Sequence, residues 1–263
     1  MSSKVNWLIN NTHPGALVLQ SWLTQNSISP SLVRKYVSSG WLNKIRAGVY
    51  FRPESTGKLK PTWVEALNAA NEQLALSIHL AGVSSLTHQG LSHYLQLGSE
   101  QVWVGCSCKN ALPKWFRELD GQNWLFYTSN KLTQTLEKDF ITITVNNREV
   151  KASTAELAAY EVVNSIGKQI SFEHAAELFQ GLVNLSPRRV QSILNRSDAV
   201  QTNRLFLFLS HYYQHQWAKR LDESQIHLGS GKRQVVSQGS YDERYQITVP
   251  VSFMKSKEEN QYG

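Results

Sequence analysis

Cysteine is scarce: Cys106 and Cys108 are the only two in 263 residues. Two positions apart on an expected strand, their Cα atoms stand near the upper limit for a disulfide, and no second pair completes a zinc site. Long apolar runs are missing too. None approaches the length needed to cross a bilayer, and the opening MSSKVNWLIN has no signal-peptide core. The expectation is a soluble cytoplasmic protein with reduced thiols and no membrane partner. Internal repeats and low-complexity blocks are also absent. Hydrophobic residues make up 41% of the chain, with ten Tyr and eight Trp, so disorder is excluded and two or three small domains can be filled.

Acidic residues are nearly missing from the first quarter. Residues 1–60 hold Lys4, Arg34, Lys35, Lys44, Arg46, Arg52, Lys58 and Lys60 against Glu54 alone, while the rest of the chain carries 19 basic and 19 acidic residues. The whole net charge of +7 therefore sits in one short segment. Such asymmetry predicts a phosphate-binding module attached to a neutral body.

The pattern within that segment is more specific. A short leading helix around Trp7 and Leu8 is interrupted at His13-Pro14-Gly15, and Ala16, Leu19, Trp22 and Leu23 then recur at helical spacing. Asn26 is the expected left-handed residue of a tight turn, with Ile28 packing between two helices. Ser29-Pro30 reads as N-cap and first helical position. Leu32, Val33, Tyr36 and Val37 make one apolar face up to Gly40, and Ser31, Arg34, Lys35 and Ser38 the opposite, polar one. Trp41, Leu42, Ile45, Val49 and Phe51 then suggest two strands turning near Ala47-Gly48, with Lys44, Arg46 and Arg52 able to grip phosphates or the minor groove. Two helices in a tight turn followed by a hairpin predict a winged helix-turn-helix whose second helix enters a major groove. A protein-docking winged helix is the reading without DNA.

The segment SWLTQNSISPSLVRKYVSSGWLNKIRAGVYFRP resembles the N-terminal winged helix of AbiEi-type antitoxins of AbiE toxin–antitoxin and phage-defence systems. The resemblance continues through WVEALNAANEQL and IHLAGVSSLTHQGLSHYLQLG. It returns in RLFLFLSHYYQHQWAKRLDESQIHLGSGKRQVVSQGSYDERYQITVP, which is similar to the family's C-terminal signature. Asn26 stands where Gly is commoner in the family, and Ala47 beside the wing glycine is a second departure. The resemblance implies a negative autoregulator on inverted repeats in the promoter of the antitoxin–toxin pair. It further implies that the C-terminal region counteracts a nucleotidyltransferase-like toxin, directly or indirectly. Lys219, Arg220, Lys232 and Arg233 are the partner surface that it suggests.

The fold expected is α+β: a winged helix over 1–58, an α+β middle region over 59–152, and a mainly helical region over 153–263 with short terminal strands. Helices are predicted from Pro61 to Leu74 and Ser84 to Gly90. Strands are predicted around Val102–Val104, Trp124–Tyr127 and Phe140–Val145, with Asn146-Asn147 turning into Glu149–Lys151. Ser153–Glu156 reads as a capping box, Ser171 and Ser186-Pro187 open two further helices, and Asp198 caps a fourth.

No active site emerges from the motifs, and neither enzymatic activity nor a cofactor is expected. Gly229-Ser230-Gly231-Lys232 resembles half a phosphate loop but lacks Gly at Ile226 and Ser or Thr at Arg233, so it reads as a glycine turn. His211 and His215 have metal-ligand spacing on a helix but no third ligand. Asp139 with Glu149 and Lys151 is the pattern of a Mg²⁺-dependent nuclease, and it makes a nucleic-acid-processing enzyme the alternative to a repressor.

Overall fold

The computed structural model describes residues 4–54, 60–92, 101–107, 111–128 and 131–254. The chain is α+β and divides into two compact units. One comprises Met1–His79, Cys106–Trp124 and Thr144–Val150; the other comprises Leu80–Gly105, Leu125–Ile143 and Lys151–Gly263. Lys58 and Cys108 fall outside the described residues, and Cys106 is buried.

The first unit starts with helix α1 (Lys4–Asn11), which buries Leu8 and ends before Pro14. The next segment departs from the sequence expectation. Leu17–Leu19 is a strand (β1), and helix α2 (Gln20–Gln25) starts only after it. A short run of consecutive apolar residues fits a buried strand or a buried helix equally well, so distant partners decide. Here they are strand β3 (Val49–Phe51), paired antiparallel as Leu17↔Phe51 and Leu19↔Val49, and Gln73 of helix α4 (Trp63–Leu74). The Gln73 amide accepts from the Leu19 N–H at 2.9 Å and donates to the Leu17 carbonyl at 2.7 Å, which satisfies the outer edge of β1.

Helix α3 (Pro30–Ser38) and strand β2 (Asn43–Arg46) complete the module, whose sheet runs β1-β3-β2. Trp41 and Leu42 lie ahead of β2; Trp41 is exposed and Leu42 is buried. Leu8, Val18, Leu23, Ile28, Val33, Tyr36 and Leu42 form one buried cluster under the helices. Short helix α6 (Lys114–Arg117) belongs to the same unit.

A larger core occupies the second unit. Strands β4 (His79–Leu80), β5 (Gln101–Gly105), β6 (Asn123–Tyr127), β7 (Phe140–Val145) and β8 (Arg148–Ser153) form a sheet of order β6-β5-β4-β8-β7, with Leu80 parallel to Ala152. Asn146 and Asn147 both take positive φ, 50° and 59°, as a two-residue hairpin turn requires. Helices α5 (Gly82–His88), α7 (Ala155–Asn164), α8 (Phe172–Gln180), α9 (Pro187–Asn195) and α10 (Val200–Tyr212) follow. The last sheet runs β10 (Ser240–Asp242), β11 (Ile247–Val249), β9 (Arg233–Gln234).

Ser171 and Ser186 cap α8 and α9 as the sequence predicts. Two other caps differ. Thr154 caps α7, which puts Glu156 at the second helical position, one short of the place a capping box needs. Glu156 instead accepts from the Ser186 N–H at 2.9 Å. Ala199, not Asp198, precedes α10 and offers no side-chain cap. The buried carboxylate of Glu161 on α7 accepts from the Gly82 N–H at 2.7 Å and the Ser153 hydroxyl at 2.8 Å. Gly82 is at φ +44°, and a Cβ there would run into the Trp103 ring.

Candidate nucleic-acid interface

Local sequence sets the two helices of the motif. Asn26 closes α2, its N–H and side-chain amide both donating to the Trp22 carbonyl. The left-handed residue is the next one, Ser27, at φ +61°, and not Asn26 as expected from sequence. Ile28 then plugs the turn, fully buried, with its N–H on the Leu23 carbonyl at 2.8 Å. Ser29 Oγ accepts from the Leu32 N–H at 3.3 Å, and Pro30 occupies the first turn.

Helix α3 has two contrasting faces. Val33 and Tyr36 are buried in the cluster beneath, with Leu32 and Val37 packed against it. Ser31, Arg34, Lys35 and Ser38 are all exposed. Ser31 Oγ shares a hydrogen bond with Ser29 Oγ at 2.8 Å, and Ser38 Oγ donates to the Lys35 carbonyl at 2.9 Å. The charged ends of Arg34 and Lys35 hold no hydrogen bond or ion pair to another described residue. These two cations stand one after the other on an open helical face.

The hairpin from β2 to β3 turns at Ala47-Gly48, with Gly48 at φ +74°. Its register slips between Lys44 and Arg46, a bulge that adds one residue to the outer strand. Lys44 is exposed. Arg46 and Arg52 have other engagements. Arg46 Nη2 donates to the Glu118 carbonyl at 2.8 Å, and Nη1 lies 3.6 Å from the Glu118 carboxylate. Arg52 Nη1 donates to the carbonyls of Ile9, at 3.0 Å, and Thr12, so its guanidinium ties the end of α1 to β3. Glu118 and the role of Arg52 were invisible in sequence, because their partners lie 72 and about 40 residues away.

The C-terminal cations stand on separate elements. Lys219 and Arg220 are exposed on a short 3₁₀ turn after the buried Trp217. Lys232 Nζ lies 4.8 Å over the Tyr241 ring, and Arg233 sits in β9, lining a hollow of about 270 Å³ with Lys131 and Lys168. The glycine turn before them is built unlike a phosphate loop, whose N–H groups converge on an anion. Here the carbonyls of Leu228, Gly229 and Gly231 accept from the buried Arg204 guanidinium at 2.6, 3.1 and 2.6 Å. Burial, and next the charge of Arg233, pull the Arg204 pKa down.

The histidines at 211 and 215 do not share a helical face, since α10 ends at Tyr212. His211 Nε2 bonds the Glu223 carboxylate at 3.0 Å, and buried His215 donates from Nε2 to the Phe179 carbonyl at 3.0 Å. Glu223 also accepts from Arg244 at 2.9 Å and from Tyr245 at 3.2 Å; burial, followed by Glu223, pushes the Tyr245 phenol up. Asp139 is 4% exposed and bonded to Arg196 through both oxygens, at 2.9 and 3.0 Å. Lys151 Nζ lies 4.3 Å over the Phe140 ring, and Glu149 faces solvent. Among the described residues, no three His, Cys, Asp or Glu side chains gather as a metal ion would need, and no helix is long and apolar enough to cross a membrane.

Residues 1–97 match the family described as "Transcriptional regulator, AbiEi antitoxin N-terminal domain", and residues 99–250 match "Transcriptional regulator, AbiEi antitoxin, Type IV TA system". No curated protein matches the chain. A crystal structure of the RV2827C protein from Mycobacterium tuberculosis is similar in fold, with TM-score 0.59 at 14% identity, covering 92% of this chain and 88% of that one.

Proposed function

Since the chain belongs to the AbiEi antitoxin family of transcriptional regulators of type IV toxin–antitoxin systems, we propose that it represses its own promoter by placing helix α3 in the major groove of an inverted-repeat site. The observation that carries this reading is the open face of α3. Arg34 and Lys35 project there without a partner among the described residues, beside Ser31 and Ser38, in a segment whose single acid is Glu54. Arg34 and Lys35 reach base edges or phosphates, and Lys44 on the wing grips the adjoining backbone. Arg52 serves the module by holding α1. A single winged helix makes few base contacts, so two copies act on the two half-sites.

The second unit carries the antitoxin role in this reading. It counteracts a nucleotidyltransferase-like toxin, directly or indirectly, and Lys219, Arg220, Lys232 and Arg233 are the side chains proposed to face the partner. The regulator family is in keeping with a non-enzymatic protein. No observation favours the nuclease alternative, since Arg196 already occupies both oxygens of Asp139.

The test is a promoter–reporter fusion carrying the protein's own upstream DNA. Arg34→Ala with Lys35→Ala should abolish repression while the protein stays folded. Arg34→Ala alone should cost about 1–3 kcal/mol of binding and relax one position of the site. Lys44→Ala should weaken all sequences alike and flatten the salt dependence. Full repression by the double variant would refute the choice of helix face.

A further inference from the structure

The wing ends in a contact that a DNA-binding hairpin does not need for its own fold. Arg46 stands opposite Val49, next to the Ala47-Gly48 tip, and its guanidinium is held by residue 118 through both main chain and carboxylate. Lys114 Nζ lies 3.9 Å from the same carboxylate, one helical turn earlier. The three side chains are 30%, 53% and 76% exposed for Arg46, Glu118 and Lys114, so solvent reaches the whole cluster. The segment that carries the wing contains a single acid, Glu54. The fold adds a second negative charge at the wing from a residue 72 positions away.

We propose that Glu118 tempers the DNA affinity of the wing: its carboxylate occupies Arg46 in the free protein and must be exchanged for a DNA phosphate when the wing docks. The inference rests on the DNA-binding reading above. An exposed ion pair contributes little to stability, so the exchange is easy once a duplex arrives. Phosphate offers Arg46 a geometrically matched acceptor, and neutralising it releases condensed counterions. The displaced carboxylate then stands close to the backbone and repels it. The wing meets phosphate on any duplex, so the penalty is common to cognate and scrambled DNA. Glu118 therefore lowers affinity for both alike and leaves discrimination to the base contacts of α3.

The experiment titrates the intact protein and its Glu118→Gln variant with fluorescent upstream and scrambled duplexes over a range of salt concentrations, with thermal midpoints measured alongside. The variant should bind the scrambled and the upstream duplex several-fold more tightly, by similar factors. Its log–log salt slope should steepen by roughly one, with the thermal midpoint unchanged. Weaker binding of both duplexes, or a lowered midpoint, would show that Glu118 braces the wing instead, and the proposal would be overturned. A wild-type protein that prefers upstream DNA beside a variant identical to it overturns this inference alone. A wild-type protein that binds neither duplex overturns the DNA-binding reading and this inference with it.

Discussion

Replacing Asp139 with Ala separates the two functions that its sequence context allows. The carboxylate is 4% exposed and Arg196 12%, with two bonds between them at 2.9 and 3.0 Å. Asp139 also accepts from the Leu136 N–H at 2.7 Å, and Arg196 donates further to the carbonyls of Ser192 and Gln134. Truncation leaves a buried guanidinium with carbonyl partners only, and it orphans a backbone N–H. Breaking such a pair from one side costs about 3–5 kcal/mol. At about 2–4 °C per kcal/mol for a unit of this size, the thermal midpoint should fall by roughly 6–20 °C. Calorimetry on Asp139→Ala, and on Asp139→Leu combined with Arg196→Met, is the assay. The double variant should recover much of the loss, because no charge is then left alone in the interior. A wild-type midpoint in Asp139→Ala would refute the reasoning. If that variant also abolished a Mg²⁺-dependent cleavage of nucleic acid, the enzyme reading would replace the repressor.

Two further expectations concern the fold beneath the proposed interface and its response to acid. Ile28→Ala opens a cavity in the turn between α2 and α3, at a side chain with no exposure. It should cost about 2–5 kcal/mol and weaken DNA binding through misplacement of α3; an unchanged denaturation midpoint would count against the turn as the organiser of the motif. Burial, and for His13 next the charge of Arg148, lowers the pKa of both His13 and His215 from the ordinary 6.5. The unfolded chain therefore takes up protons first. Stability from these groups is complete above about pH 6.5 and is lost as pH falls towards the depressed folded values. Thermal midpoints should decline between pH 7 and pH 5.5, and His215→Gln should flatten the decline; a flat wild-type profile would contradict this.

What could be read in the sequence is what short-range chemistry dictates. Ser29-Pro30, Ser171 and Ser186-Pro187 announce helix starts because a hydroxyl and a fixed φ satisfy the first turn locally. Asn146-Asn147 and Gly48 announce hairpins because those backbones need positive φ. The polar face of α3 follows from helical period alone. Legibility stops where distant partners decide. Leu17–Leu19 extends as a strand because β3 and Gln73 supply its hydrogen bonds. The partners of Arg52 and Arg46 in the free protein, carbonyls about 40 residues back and Glu118 72 residues on, leave no local signature in the sequence. Asp139 has the pattern of a metal ligand until Arg196, 57 residues on, fills both its oxygens. Even within the turn, Ser27 takes the left-handed position while Asn26 spends its amide on the Trp22 carbonyl.

The central claim is that the exposed basic face of α3 reads duplex DNA upstream of the protein's own reading frame. The most direct test is an anisotropy titration of the intact wild-type protein with that upstream DNA and with a scrambled duplex of equal length, at two salt concentrations. The account predicts tighter binding to the upstream DNA and a loss of affinity on both duplexes as salt rises. Equal affinity for the two, or no binding to either, would contradict it.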